Sequence, residues 1–143
     1  MKPTIEILFV DDNTGDSELT ADLLRRSGQL INIHSVDDGA EAMSYLLREG
    51  KYSEMIPPHL MMLDLNMPRK DGHAVLLAVK SDSILRNITV VIFTTSDAQV
   101  DIRGCNELGA NSYVNKPGTL EEYKSTIATI AEYWLGIDCM ASV

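Results

Sequence analysis

Five short apolar runs punctuate this chain, and helix-length amphipathic stretches separate them. The runs are Ile5–Val10, Ile31–Val36, Leu60–Leu63, Thr89–Phe93 and Ser112–Val114. Strands joined by helix-length connections pair in parallel with right-handed crossovers. The expected fold is therefore α/β: a doubly wound, five-stranded parallel sheet in flavodoxin-like order, with helices on both faces. Ile31–Val36 alternates apolar and polar residues, as an edge strand does. Thr89–Phe93 is dominated by β-branched residues and is the clearest strand.

The intervening stretches carry helical spacing. The first helix is expected over Ser17–Arg26, capped by Asp16 or Thr14, with Leu19, Leu23 and Arg26 on one face and Gly28 ending it. Asp37-Asp38-Gly39 opens a second over Ala40–Arg48, with Ala42, Met43, Leu46 and Leu47 inward. A loop closes at Pro57-Pro58, and Met67–Gly72 is a turn before a helix over His73–Lys80. Ser81–Asn87 is a polar connection. Ser96-Asp97 is read as the cap of a helix running to Leu108 and closed by Gly109. Leu120, Tyr123, Ile127, Ile130 and Trp134 form the core stripe of a last helix, Leu120–Trp134. At 143 residues the chain is expected to be one domain, 1–143, with a core over about 5–134 and a tail at 135–143.

A net charge of −9 disfavours nucleic acid and anionic membranes as partners. No apolar stretch approaches the roughly 20 residues of a membrane span. Met1-Lys2-Pro3-Thr4 runs straight into the first strand without a signal peptide, so the expected location is cytoplasmic. Cys105 and Cys139 lack metal or redox spacing and read as buried or idle thiols.

The residues at the strand ends suggest chemistry. Asp11-Asp12 ends the first run, Asp64 the third, Thr94 the fourth, and Lys116-Pro117 comes after the fifth. Open α/β sheets bind ligands at the carboxyl ends of their strands. Each of these residues is commonplace alone: a solvated turn acid, a strand-end threonine, an exposed lysine. Together they would crowd three carboxylates, a hydroxyl and an ammonium into one pocket. Three like charges there favour a hard divalent cation, and Mg²⁺ suits all-oxygen ligation. Asp12 and Asp64 are assigned as direct metal ligands, Asp11 as a ligand through water, and the Asn66 main-chain carbonyl as a further ligand. A carboxylate oxygen is also a competent nucleophile toward phosphorus, which makes Asp64 the candidate phosphoacceptor. Thr94 and Lys116 would contact the phosphoryl oxygens.

The ordered set Asp11-Asp12, Leu63-Asp64-Leu65-Asn66-Met67-Pro68, Asp71-Gly72, Thr94 and Lys116-Pro117 resembles the receiver domain of two-component response regulators. The resemblance covers about Ile5 to Trp134. Asn13-Thr14-Gly15-Asp16, the Leu47–Pro58 insertion, Thr94-Thr95-Ser96, Asp101-Ile102, Leu108-Gly109-Ala110-Asn111 and Tyr133-Trp134-Leu135 are similar to stand-alone receivers paired with cyanobacterial-type phytochrome kinases. The resemblance implies that a histidine kinase, of phytochrome type, phosphorylates Asp64. It implies that Asp11 and Asp12 serve Mg²⁺, that Thr94 and Lys116 contact the phosphoryl group, and that Tyr113 is the switch aromatic coupled to Thr94. It implies a signalling domain and not an enzyme, with a homodimer through the fourth helix, fifth strand and fifth helix (Ala98, Ile102, Cys105, Tyr113 and Tyr123). Gly118 departs from the large apolar residue that the family often carries after its Lys-Pro pair. Asn66 and Ser96 stand where side chains tune phosphoryl lifetime.

Three other readings stand beside this one. A phosphorelay intermediate uses the same chemistry. A degenerate interaction module is disfavoured by the intact Asp64, Thr94 and Lys116. A haloacid-dehalogenase-like phosphatase needs an Asp-x-Asp nucleophile after the first strand. Here Asp64 comes after the third, and Asn66 replaces the second acid.

Overall fold

The computed structural model describes residues 4–67 and 71–136. The expected turn residues Pro68, Arg69 and Lys70, most of the tail and Cys139 lie outside them. Strands and helices alternate as expected: β1 (Ile5–Val10), α1 (Thr14–Arg25), β2 (Ile31–Val36), α2 (Gly39–Leu46), β3 (Leu60–Leu63), α3 (Gly72–Ser81), β4 (Thr89–Thr94), α4 (Gln99–Leu108), β5 (Ser112–Asn115) and α5 (Leu120–Leu135). Short 3₁₀ turns at Gly50–Tyr52 and Leu85–Asn87 interrupt the two long connections. The sheet is parallel in the order β2-β1-β3-β4-β5, so the alternating β2 is an edge strand as read. Among the described residues, no helix is long and apolar enough to cross a membrane.

Period-two side-chain alternation splits the core into two layers. Ile7, Phe9, Met62, Val91 and Phe93 point to the face covered by α1 and α5, where they meet Leu24, Tyr123, Ile127 and Ile130. Leu8, Val10, Met61, Leu63, Val90 and Ile92 point to the other face, beneath α2, α3 and α4. The central strands are buried on both sides, which is why β1, β3 and β4 read as continuous apolar runs.

Several local expectations are corrected. Neither Asp16 nor Thr14 caps α1. Asn13 does, accepting from the Asp16 N–H at 3.0 Å. The buried face of α1 is Ser17, Thr20, Ala21 and Leu24, while Leu19 and Leu23 are half-buried and Arg26 is exposed. The face is offset because Thr20 Oγ1 pairs with the buried Tyr123 hydroxyl at 2.7 Å, a polar contact that apolar periodicity does not register. In α2, Leu47 is exposed, and Tyr45 fills the inward position instead. Leu120 is exposed at the start of α5, ahead of the stripe that Tyr123 begins. The N-cap of α4 is Ala98, without a side-chain hydrogen bond, because the Ser96 hydroxyl is bonded to Asp101 at 2.6 Å. Gly109 does close α4, at a φ of 94° that favours glycine.

Cys105 lies in the core beneath α4 with no exposed surface, and burial pushes its thiol up to about 11. A Cys139→Ser variant, whose remaining thiol is Cys105, is therefore expected to resist a thiol reagent at pH 8 while native and to react once unfolded in denaturant. Fast modification of the native protein, counted by mass, would contradict this burial.

Candidate functional site

Register places the acidic residues side by side. Val10 pairs with Leu63 and Leu63 with Ile92, so the chain leaves β1 and β3 at the same level. Asp11 and Asp64 are the next residues on their strands. The Asp64 N–H donates to the Val10 carbonyl at 2.9 Å, extending the ladder one step into the site. Asp11 (2% exposed) and Asp64 (7%) are buried, whereas Asp12 is exposed. One oxygen from each of the three lies within 4.8 Å of the others. This donor set of anionic oxygens, partly buried and open at Asp12, fits a hard divalent cation.

Each carboxylate is oriented. Asp11 Oδ1 accepts from the Asn13 N–H at 2.8 Å. Asp64 Oδ1 accepts from the Leu65 N–H at 2.8 Å and, more weakly, from the Asn66 N–H at 3.5 Å. Asp64 Oδ2 faces Lys116 Nζ at 3.7 Å. Asn66 is exposed beside the cluster.

Lys116 comes from the end of β5. Thr94 pairs with Asn115, and the Lys116 N–H donates to the Thr94 carbonyl at 2.8 Å. The ammonium sits 2.6 Å from Asp11 Oδ2 and 2.9 Å from Asp16 Oδ2. It also lies 5.9 Å from the centre of the Phe93 ring. Burial disfavours this charge, but the hydrogen bonds and charges of Asp11 and Asp16 outweigh it and hold the ammonium well above the usual lysine range. Burial raises the Asp11 carboxyl, and Asp64 adds repulsion. Together these outweigh the opposing contacts with Lys116 and Asn13. A carboxylate so placed gains from a second cation nearby.

Thr94 is fully buried at the end of β4, and its Oγ1 accepts from the Ser96 N–H at 3.4 Å. Beyond it, the loop is held by residues that sequence reasoning did not bring together. The Ser96 carbonyl accepts from the Tyr113 hydroxyl and from Asn115 Nδ2, both at 2.8 Å. The Ser96 hydroxyl bonds Asp101 Oδ2, and Asp101 Oδ1 pairs with His73 Nε2 at 3.0 Å. Ser96 thus ties the β4–α4 loop to β5, α4 and α3. Tyr113 is half-buried against the α2–α4 core face, within one loop of Thr94.

Two members of the expected dimer face are corrected. Cys105 is enclosed, and Tyr123 (5% exposed) packs edge-on to Phe93 and donates to the Asp16 carbonyl at 3.2 Å. Both are core residues. Ala98 is exposed, and Ile102 and Tyr113 are half-exposed. Gly118 meets open space, so the loop after Lys116-Pro117 lacks an apolar anchor at that position.

Residues 7–128 match the model of the response regulator receiver domain. Rcp1 of Synechocystis is 35% identical over 93% of this chain and 90% of its own length. The crystal structure of its Mn²⁺-bound form superposes with a TM-score of 0.88 over 92% of this chain and 94% of that one. The phosphorylated cyanobacterial phytochrome response regulator RcpA superposes with a TM-score of 0.90 at 38% identity, covering 93% of this chain and 95% of its own. FilR2, a probable methanogenesis regulatory protein of Methanothrix harundinacea, is 40% identical over 91% of this chain and 83% of its own length.

Proposed function

The chain belongs to the response regulator receiver family, and from that premise we propose that Asp64 accepts a phosphoryl group from a histidine kinase. The observation that carries this reading is the division of labour within one carboxylate. Oδ1 is held by the Leu65 N–H, and Oδ2 is turned toward Lys116. Oδ2 attacks phosphorus, the P–N bond of the donor phosphohistidine breaks, and the histidine nitrogen leaves with the bonding pair. The product is a mixed anhydride on Asp64.

Asp11, Asp12, Asp64 and the Asn66 carbonyl are the groups that would hold Mg²⁺. When bound, this ion offsets charge on the phosphoryl oxygens. Lys116 supplies a second positive charge to the same oxygens, and the Thr94 hydroxyl donates to one of them. Movement of Thr94 toward the new group alters the loop that Ser96 anchors, and the Tyr113 hydroxyl, bonded to that loop, carries the change to β5. The similarity to RcpA, a cyanobacterial phytochrome response regulator, favours a phytochrome-type kinase, and membership of the receiver family is consistent with a cytoplasmic setting. A homodimer through α4, β5 and α5 would use Ala98, Ile102 and Tyr113, with the exposed Val100 beside them.

Incubation with acetyl phosphate and Mg²⁺ is expected to add one phosphoryl group by intact mass, and EDTA is expected to prevent it. No uptake, or uptake indifferent to EDTA, would overturn the assignment.

A further inference from the structure

We propose that Asp16 is a positioning residue for Lys116, a second carboxylate that holds the ammonium off Asp64 until a phosphoryl group draws it away. The inference rests on the phosphoacceptor reading of Asp64. Lys116 Nζ makes its two short contacts with Asp11 at 2.6 Å and Asp16 at 2.9 Å, and stands 3.7 Å from Asp64. Asp11 belongs to the three clustered carboxylates and is shared with any cation bound there. Asp16 lies outside that cluster, so its charge stays committed to Lys116 when a metal is present. It is then the main competitor of an incoming phosphoryl group for the same ammonium.

The placement of Asp16 is specific. Its N–H donates to the Asn13 cap at 3.0 Å. Its carbonyl accepts from the Tyr123 hydroxyl at 3.2 Å, and that hydroxyl is itself paired with Thr20 at 2.7 Å. The backbone is thereby fixed between α1 and α5. An acid in a first helical turn is ordinarily accounted for by the helix dipole. The dipole does not require a carboxylate oxygen 2.9 Å from an ammonium whose side chain is only 8% exposed. That contact is a charge-assisted hydrogen bond in a poorly solvated place. Release of Lys116 from Asp16 would make phosphorylation felt at the α1–α5 seam as well as at Thr94.

The test titrates the full chain with beryllofluoride, a phosphoryl mimic, at saturating Mg²⁺, and reads bound fluoride by ¹⁹F NMR. Asp16→Asn is expected to bind roughly two- to fivefold tighter, the range for one partly exposed ion pair that no longer competes. Asp16→Glu, which keeps the charge, is expected to restore wild-type affinity. In a Lys116→Met background the gain from Asp16→Asn is expected to vanish. Unchanged or weaker binding by Asp16→Asn overturns the proposal. So does a gain that persists without Lys116, because it would be a diffuse charge effect. Thermal unfolding separates a structural role, which would lower the midpoint and leave the affinity alone. A wild-type protein that binds no beryllofluoride removes the phosphoacceptor reading and this inference together. Normal wild-type binding with no Asp16 effect removes only the inference.

Discussion

Asp64→Asn is expected to abolish phosphoryl uptake while leaving the fold in place. The amide keeps an oxygen that can accept from the Leu65 N–H, which lies 2.8 Å from Asp64 Oδ1, so the backbone after β3 has no reason to move. It replaces the oxygen facing Lys116 with a neutral nitrogen that cannot form an acyl phosphate. Stability is expected to stay within about 1 kcal/mol of wild type. The variant loses a weak attraction to Lys116 and, at the same time, the repulsion that Asp64 exerts on the buried Asp11. Circular dichroism and thermal unfolding check the fold, and intact mass after acetyl phosphate treatment checks the chemistry. Wild-type labelling of the variant would show that the reactive group lies elsewhere.

Gly72→Ala is expected to be the most damaging single methyl group near the site. Gly72 is the first residue of α3, and its N–H donates to the Leu65 carbonyl at 3.1 Å. A Cβ at this position would lie 2.3 Å from the Asp64 carbonyl oxygen and 2.7 Å from Leu65 Cα. Both are backbone atoms of the segment that carries the phosphoacceptor, so no flexible side chain can yield. Overpacking of this kind costs about 1–3 kcal/mol, and rigid neighbours put Gly72 at the upper end. The accompanying shift of Asp64 should slow uptake by up to ~10²-fold, the scale for a misplacement of about 1 Å. Gly104→Ala on α4 is the control, since its Cβ would meet only the His73 ring at 3.7 Å, an ordinary contact. That variant is expected to be neutral or slightly stabilised, because alanine favours a helix over glycine by about 1 kcal/mol. Equal midpoints for the two variants in chemical denaturation would refute the steric argument.

The sheet and the core of the site were legible because both depend on short, strongly patterned runs. Once β1, β3 and β4 are in parallel register, Asp11, Asp64, Thr94 and Lys116 have only one edge at which to meet. Less legible were interactions between polar groups on different elements. Asp16 read as a candidate cap, but its backbone is capped by Asn13 and its carboxylate crosses to Lys116. Its one sequence signal is an acid one helical turn beyond Asp11-Asp12. Thr20 and Tyr123 bury a hydroxyl pair inside a helix seam, so an apolar count placed the inward face of α1 one position off. His73 is far in the chain from the Ser96–Asp101 pair and meets it only through packing of α3 and α4. Cys105 and Tyr123 each support two readings, a buried thiol or core-stripe residue and a member of the dimer face, and the structure bears out the buried one for both. Gly72 was visible as part of a motif, but its need for a missing Cβ is visible only from the position of the Asp64 carbonyl.

The most direct measurement is chemical mapping of the phosphorylated residue. The protein is labelled with acetyl phosphate and Mg²⁺, reduced with borohydride, digested and sequenced by mass spectrometry. An acyl phosphate is reduced to an alcohol, so an aspartyl phosphate becomes homoserine. The account predicts homoserine at position 64 alone, with Asp11, Asp12 and Asp16 unchanged. Homoserine at any of those three, or a stable phosphate ester on Ser96 or Thr94, would contradict it.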